Sequence, residues 1–283
     1  MVSSRAEKDL TGAQSVDRAL RLLALVSRQA ERGMPLSTIV DRSGLNKPTV
    51  RRLLLALIRA GLIEQNIVNR RYYIGEEAYV LGSLASRRYG LLQMSMSSLI
   101  RLSRKTEDSS FVSVRRDTYS VCLHREEGTF PIRTHALQAG FEHPLGVGAG
   151  SLAMLASLPD DEIAFILDIN RPLLMERFPK LHPDRIWADV HATRETGVAF
   201  NPGLVYANSW GMGMAVLFPD GKLAGALSIA AIDSRMQAER QGELTELLRA
   251  EARTVEAELA RTFKLKQEAE RPSLRSALER ALH

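Results

Sequence analysis

The forty residues from Leu36 to Gly75, LSTIVDRSGLNKPTVRRLLLALIRAGLIEQNIVNRRYYIG, constrain this chain more than any other stretch. Ser37 suits an N-cap for a short helix that carries Ile39 and Val40 inward, and Gly44 supplies the positive φ that ends such a helix. After a turn of Gly44, Leu45 and Asn46, a second helix starts at Asn46 or Lys47. Its apolar residues Val50, Leu53, Leu54, Leu57 and Ile58 recur at helical spacing and form one buried stripe. Arg51, Arg52 and Arg59 therefore point away from it. Pro48 lies in the first turn, where a missing N–H removes no hydrogen bond, and Gly61 closes the helix. Two helices joined by so short a turn, the second basic at its start, describe a helix-turn-helix. The β-rich runs Leu62-Ile63-Glu64 and Arg71-Tyr72-Tyr73-Ile74 then add a wing, and Asn69, Arg70 and Arg71 at its tip suit a phosphate backbone.

Charge is distributed to match. The chain of 283 residues carries 38 Lys and Arg against 33 Asp and Glu, yet residues 1 to 75 alone hold 13 basic and 6 acidic residues. The remainder is slightly acidic. The electrostatic footprint for nucleic acid is thus confined to the N-terminal part, and the larger body performs another task. The start, MVSSRAEKDLTG, has no apolar signal region, and no run of about 18 uninterrupted apolar residues occurs, so neither a signal peptide nor a membrane span is expected. One cysteine, Cys122, cannot form an internal disulfide, and a cytoplasmic protein is expected. The six histidines show no metal-ligand spacing, so no metal and no cofactor are expected.

Residues 1 to 14 read as a flexible arm and 15 to 75 as the winged helix-turn-helix. Ser15 is placed as the cap of a scaffold helix with Val16, Ala19, Leu20, Leu23 and Val26 on its apolar face; Arg18 and Arg21 lie off it. Residues 76 to 90 read as a linker helix with Glu76 and Glu77 at the positive end of its dipole. The body spans 91 to 267. It opens with an amphipathic helix bearing Leu92, Met96, Leu99 and Leu102, and then changes to strand periodicity in SSFVSVRR, TYSVCLHRE and PIRTHAL. A Gly-rich loop, GFEHPLGVGAG, leads into a helix at about 151 to 157. Helices follow from Pro159 and across 184 to 196. GVAFNPGLVYANSWGMGMAVLFP and GKLAGALSIAAI read as strands, with a turn at Pro219-Asp220-Gly221. A long charged helix, about 236 to 266, ends the body, and 268 to 283 is a C-terminal tail. The expected class is α+β, with a largely antiparallel sheet in the body.

These residues resemble the IclR-type bacterial transcription regulators. The likeness is carried by S-V-D-R-A-L at 15 to 20, G-L-N-K-P-T-V-R-R-L-L at 44 to 54, G-L-I-E at 61 to 64, Y-x-I-G at 72 to 75, G-x-G-A-G at 146 to 150, and G-K-L-A-G-A-L-S-I at 221 to 229. It implies an N-terminal winged helix-turn-helix, a C-terminal effector domain of GAF-like α/β fold, and assembly into dimers, often paired into tetramers. It further implies an effector that is a small carboxylate or aromatic acid, held by the Gly-rich loop at Gly148, Ala149 and Gly150 and by Ser228 on the final strand. Two departures stand out in the body. Phe200-Asn201-Pro202-Gly203 replaces an acidic run common in the family, placing Asn201 in the pocket, and Gly211 stands where some members have a pocket cysteine. In the reading helix, Pro48 replaces a usual serine.

Competing chemistry is weaker. Gly148-Ala149-Gly150-Ser151-Leu152-Ala153 satisfies the G-x-G-x-x-A form of a dinucleotide fingerprint, with Asp168 about 20 residues on. That motif needs a hydrophobic strand running into the glycines, whereas Phe141-Glu142-His143-Pro144 is a poor strand and Asp168 ends a segment of helical character. No G-x-S-x-G elbow is present, and Cys122 reads as a packing residue. A scaffold whose N-terminal module only dimerises is the remaining alternative. The expectation is therefore a non-enzymatic regulator whose operator binding answers to a small effector. Lys47, Pro48, Thr49, Arg51 and Arg52 would lie at the major groove of double-stranded DNA, with Asn69, Arg70 and Arg71 on the flanking backbone.

Overall fold

The computed structural model describes residues 13–29, 32–86, 90–134 and 137–270. Contacts divide the chain into two units, residues 1–89 and 90–283. The first contains α1 (Gln14–Ser27), α2 (Leu36–Ser43), α3 (Lys47–Arg59), the antiparallel ribbon β1 (Ile63–Gln65) and β2 (Tyr72–Ile74), and α4 (Glu76–Ser86). Leu22 and Val26 of α1, Ile39 of α2, and Val50, Leu53, Leu54 and Leu57 of α3 meet Met34, Ile63 and Tyr72 in one core. Gly44 takes the left-handed conformation, φ 65°, after α2, and Asn46 caps α3 by accepting from the backbone N–H of Thr49 at 2.9 Å. The periodicity of α3 and both signals around its start are thus realised.

Several local expectations are corrected. Neither Ser15 nor Ser37 is a cap: α1 begins at Gln14 after Ala13, and α2 at Leu36 after Pro35, whose φ near −72° already suits a helix entry. On α1 the buried line runs through Leu22 and Val26, with Ala19, Leu23 and Leu25 partly covered, while Val16 and Leu20 are exposed. The apolar stripe of that helix is wider than its core-facing part. Gln14 and residues 268–270, assigned from sequence to an arm and a tail, are helical. The rest of the arm and tail, apart from Ala13, lies outside the described residues, as do 87–89 of the linker.

In the second unit α5 (Leu91–Thr106) precedes β3 (Ser109–Arg116), β4 (Tyr119–Glu126) and β5 (Glu142–Pro144). There follow α6 (Ala149–Ala156), α7 (Asp160–Arg177), α8 (Pro183–Thr196), β6 (Ala199–Tyr206), β7 (Ser209–Leu217), β8 (Leu223–Ile232) and α9 (Ala238–Glu270). The sheet order is β5-β4-β3-β8-β7-β6, and every described pair is antiparallel. Two separate cores flank it. Leu152, Leu155, Ile163, Ile166, Ile186 and Val190 bring α6, α7 and α8 to one side, and Leu99, Leu102, Val112, Leu227, Leu248 and Val255 bring α5 and α9 to the other. With helices on both faces, several polar strand residues, among them Ser109, Ser110, Ser113, Ser120 and Asn201, are buried.

The expected strand PIRTHAL does not form over 131–134, and 135–136 are outside the described residues. Pro131 lacks a ladder donor, and Arg133 turns back to Glu127 and to the carbonyl of Phe130. The segment judged a poor strand, Glu142 to Pro144, takes the edge beside β4 instead, with Ser120 opposite His143. Its antiparallel pairing also removes the dinucleotide-fold reading of the glycines, which requires a parallel strand–helix unit.

Candidate functional site

Two sites follow from this architecture, one in each unit. On α3 the buried stripe fixes what faces outward. Lys47, Pro48, Arg51 and Arg52 are exposed and Thr49 is half-buried, all within the first two turns. The side chains of Lys47, Arg51 and Arg52 have no hydrogen-bond partner among the described residues, so three cations stand free. On the wing Asn69 and Arg70 are exposed. Arg71 is more committed: its Nη1 donates to the carbonyls of Gly33 (3.1 Å) and Arg32 (3.3 Å), which fastens the ribbon to the segment before α2. Asn69 is likewise occupied, donating from Nδ2 to the Tyr73 hydroxyl at 3.0 Å.

The second site is a cavity of about 80 Å³ between α6 and the sheet. Gly148, Ala149, Gly150, Asn201, Gly211 and Ser228, named from residues up to 80 apart in sequence, all line it. They meet because α6 starts on top of β7 and β8: a Cβ on Gly150 would lie 3.0 Å from the Ser228 hydroxyl, and one on Gly211 3.4 Å from the Cβ of Ala149. Gly148, φ 87°, is the residue before α6, so the unpaired N–H groups of the helix's first turn open at this place. Phe111 and Trp210 add aromatic walls, and Trp210 is braced edge-on by Phe200 at 5.6 Å.

Sequence reasoning missed the rest of the polar lining. Ser113 and Ser120 are buried in β3 and β4, and His143 reaches in from β5. Their only sequence signal is a serine or histidine alternating with apolar residues in a strand, which ordinarily marks a wet face. Ser151 is already used, accepting from the N–H of Gly146 at 2.9 Å and donating to the carbonyl of Pro144 at 3.3 Å. The Oδ1 of Asn201 accepts from the N–H of Leu204 at 2.9 Å, which holds the kink in β6. Nε2 of His143 is buried and has no hydrogen-bond partner among the described residues. Burial, and secondarily the positive Arg177, pushes the His143 pKa down to about 4, so the ring is neutral near pH 7. Among the described lining residues there is no Lys, Arg, Asp or Glu.

Such a cavity exceeds the roughly 10–15 Å³ that one water needs, and it offers helix N–H groups, hydroxyls and a neutral imidazole between aromatic walls. Among the described residues none of the lining serines is hydrogen-bonded to Nε2 of His143. Cys122, buried nearby on β4, has its thiol pushed up to about 12 by burial and is inert at neutral pH.

A family model described as the IclR helix-turn-helix domain matches residues 15–66, and one described as bacterial transcriptional regulator IclR C-terminal matches residues 84–257. The chain belongs to the IclR family. Among its relatives is the HTH-type transcriptional regulator XynR of Escherichia coli K12, 24% identical over 223 residues that cover 79% of this chain and 88% of XynR. Among solved structures, an IclR transcriptional regulator from Silicibacter sp. TM1040 superposes with a TM-score of 0.76 at 25% identity, covering 87% of this chain and 96% of that one. An IclR homolog from Microbacterium hydrocarbonoxydans, solved in complex with 4-hydroxybenzoate, shares the fold with a TM-score of 0.70 at 20% identity, over 87% of this chain and 98% of that one. The IclR chain described here is accordingly a transcription regulator and not an enzyme, with a DNA-binding helix-turn-helix and a C-terminal effector-binding domain. Among the described residues no helix is long and apolar enough to cross a membrane.

Proposed function

We propose that this regulator acts in the cytoplasm and binds a small organic acid, aromatic or of aromatic size, in the α6 cavity, and that occupancy alters its affinity for an operator. The observation that carries this reading is the convergence of Gly148, Ala149, Gly150, Asn201, Gly211 and Ser228 on one cavity at the start of a helix. A carboxylate there accepts from the first N–H groups of α6 and from the Ser228 hydroxyl, which favours an anion without any side-chain cation. The complex of a same-fold protein with 4-hydroxybenzoate supports an acid of that size. Calorimetric titration with benzoate and 4-hydroxybenzoate, with operator anisotropy measured in parallel, is the test; binding of neither acid, or binding that leaves operator affinity unchanged, sinks the reading.

His143 gives this reading a pH signature. Between about pH 6.5 and 4 the unfolded chain binds a proton at this residue and the folded chain does not, so stability falls as pH drops through that window. Replacing the ring by leucine removes both the unpaired nitrogen and the titration. His143→Leu is expected to be neutral or stabilising at pH 7 by up to about 1 kcal/mol and to flatten the acid limb, while weakening binding of a hydroxylated acid more than of benzoate. Urea denaturation from pH 4 to 7 checks the first part and calorimetry the second.

For DNA, the reading assigns Lys47, Pro48, Thr49, Arg51 and Arg52 to the major groove and Asn69, Arg70 and Arg71 to the flank, in a homodimer, or a tetramer, whose two-fold axis matches the operator. Val16, Leu20, Tyr79 and Leu84, exposed in the N-terminal unit, support association between copies through α1 and α4. The effector then biases the dimer towards one spacing of the recognition helices. Selection of genomic fragments by the full-length protein identifies the operator. On it, Arg51→Ala or Arg52→Ala is expected to lose about 1–3 kcal/mol at a single base position. Equal loss over all sequences would instead make that side chain a phosphate contact.

A further inference from the structure

The wing carries a feature that phosphate binding does not explain. Ile67 and Val68 at its tip are 84% and 93% exposed, the two most solvent-exposed large apolar side chains among the described residues. They are neither mobile ornaments nor core residues turned outward, because the backbone beneath them is held by polar contacts. Asn66 Oδ1 accepts from the N–H groups of Val68 (2.9 Å) and Asn69 (3.1 Å). Asn69 Oδ1 accepts from the N–H of Arg71 at 2.9 Å, and Gln65 Nε2 donates to the carbonyl of Arg70 at 3.0 Å. Arg70 is held at φ 58°. Arg71 and Tyr73 then tie the ribbon to the carbonyls of Arg32 and Gly33. Two β-branched side chains are thus presented, pre-organised, beside the exposed Arg70, whose guanidinium has no partner among the described residues.

We propose that Ile67 and Val68 form an apolar wedge that enters the minor groove flanking the sequence read by α3, pressing on the deoxyribose walls and on one base step. This rests on the DNA reading above and deepens it. The occupant is double-stranded DNA because the tip is continuous with a DNA-binding helix-turn-helix whose family model ends within the wing, and because the charge beside the apolar pair is positive. Branched apolar side chains placed between or against base steps are a recurring minor-groove device, and they act at little cost where the step unstacks easily. The wedge therefore adds specificity for a flexible pyrimidine–purine step under the wing and bends the site there, without any base hydrogen bond. Arg70 anchors the adjacent phosphate.

The two contributions separate by salt. With the operator selected from genomic DNA, the full-length Ile67→Ser/Val68→Ser double variant is expected to bind about tenfold more weakly, with an unchanged salt slope and a reduced bend by circular-permutation electrophoresis. Arg70→Ala is expected to lower the slope by about one unit. A measurement that needs no variant accompanies them: hydroxyl-radical footprinting locates the groove under the wing, and replacing its pyrimidine–purine step by an A-tract should weaken wild-type binding by a similar factor. Unchanged affinity and bend in the double variant, or indifference of the wild type to the A-tract, overturns the wedge while leaving DNA binding intact. A changed oligomeric state in sedimentation with an unchanged bend overturns it in favour of contact between copies. Failure of the wild type to enrich any DNA removes the DNA reading and the wedge together.

Discussion

Asp108→Ala is expected to destabilise the effector domain by about 3 kcal/mol, because it removes the buried carboxylate shared by two half-buried guanidinium groups. Asp108 is 3% exposed and sits between the end of α5 and the start of β3. Its carboxylate accepts from Nε of Arg235 at 2.8 Å and from Nη1 of Arg240 at 2.6 Å. Both guanidinium groups also donate to the carbonyl of Thr106, at 2.7 and 2.6 Å, and Arg235 lies 3.9 Å over the ring of Phe130. One short side chain therefore joins the α5–β3 corner to the turn before α9 and to the first turn of α9, the helix that shares the far face of the sheet with α5. At roughly 2–4 °C per kcal/mol for a domain of this size, calorimetry should see the melting temperature fall by about 10 °C. Asp108→Asn keeps the shape and one acceptor and should fall between. A loss below about 1 kcal/mol for the alanine variant would mean that water replaces the carboxylate and that the Thr106 carbonyl and Glu107 suffice to hold the corner.

The same network marks where sequence reasoning stops. Nothing near Asp108 signals Arg235, more than a hundred residues away, since an ion pair leaves no periodicity. Periodicity sufficed for α3, where apolar spacing, Asn46, Pro48 and Gly44 agree on one local answer that packing had no reason to override. On α1 it sufficed only in part: Val16 and Leu20 continue the apolar stripe beyond the core, and a stripe does not say whether its partner is the same chain or another. In the second unit the six cavity residues were legible through likeness to a family and not through spacing, because strands β6, β7 and β8 bring them together only once the sheet is ordered. Ser113, Ser120 and His143 escaped because serine and histidine in alternation with apolar residues describe an exposed strand face, and here both faces are covered. The PIRTHAL strand failed for a similar reason: its apolar alternation was real, but Pro131 and the pull of Glu127 on Arg133 leave the edge to Glu142–Pro144.

The contact that makes the cavity is between a strand and a helix start, and Gly213→Ala tests it. A Cβ on Gly213 would lie 2.6 Å from both the carbonyl carbon and oxygen of Ala149 and 2.7 Å from the backbone nitrogen of Gly150. These are backbone atoms of the first turn of α6, so no side chain can rotate away, and the helix must lift from β7. Overpacking of this kind typically costs about 1–3 kcal/mol, and the N–H groups proposed to hold the effector carboxylate move with the helix. Gly213→Ala is therefore expected to lower stability by about 3 kcal/mol and to abolish acid binding, while the operator affinity of the effector-free protein stays near wild type, since side chains between Ala19 and Ile74 form a separate core. Gly150→Ala separates the two effects. Its Cβ would meet the Ser228 hydroxyl at 3.0 Å, which can turn aside, and the Ser228 Cβ at 3.3 Å, which needs a shift of a few tenths of an ångström that the better helix propensity of alanine, about 0.5–1 kcal/mol, offsets. That variant should fold as well as the wild type and still bind acid poorly, because the added methyl occupies the cavity itself. If Gly150→Ala binds benzoate normally, the acid does not sit between α6 and Ser228, and the effector site has to be sought elsewhere in the domain.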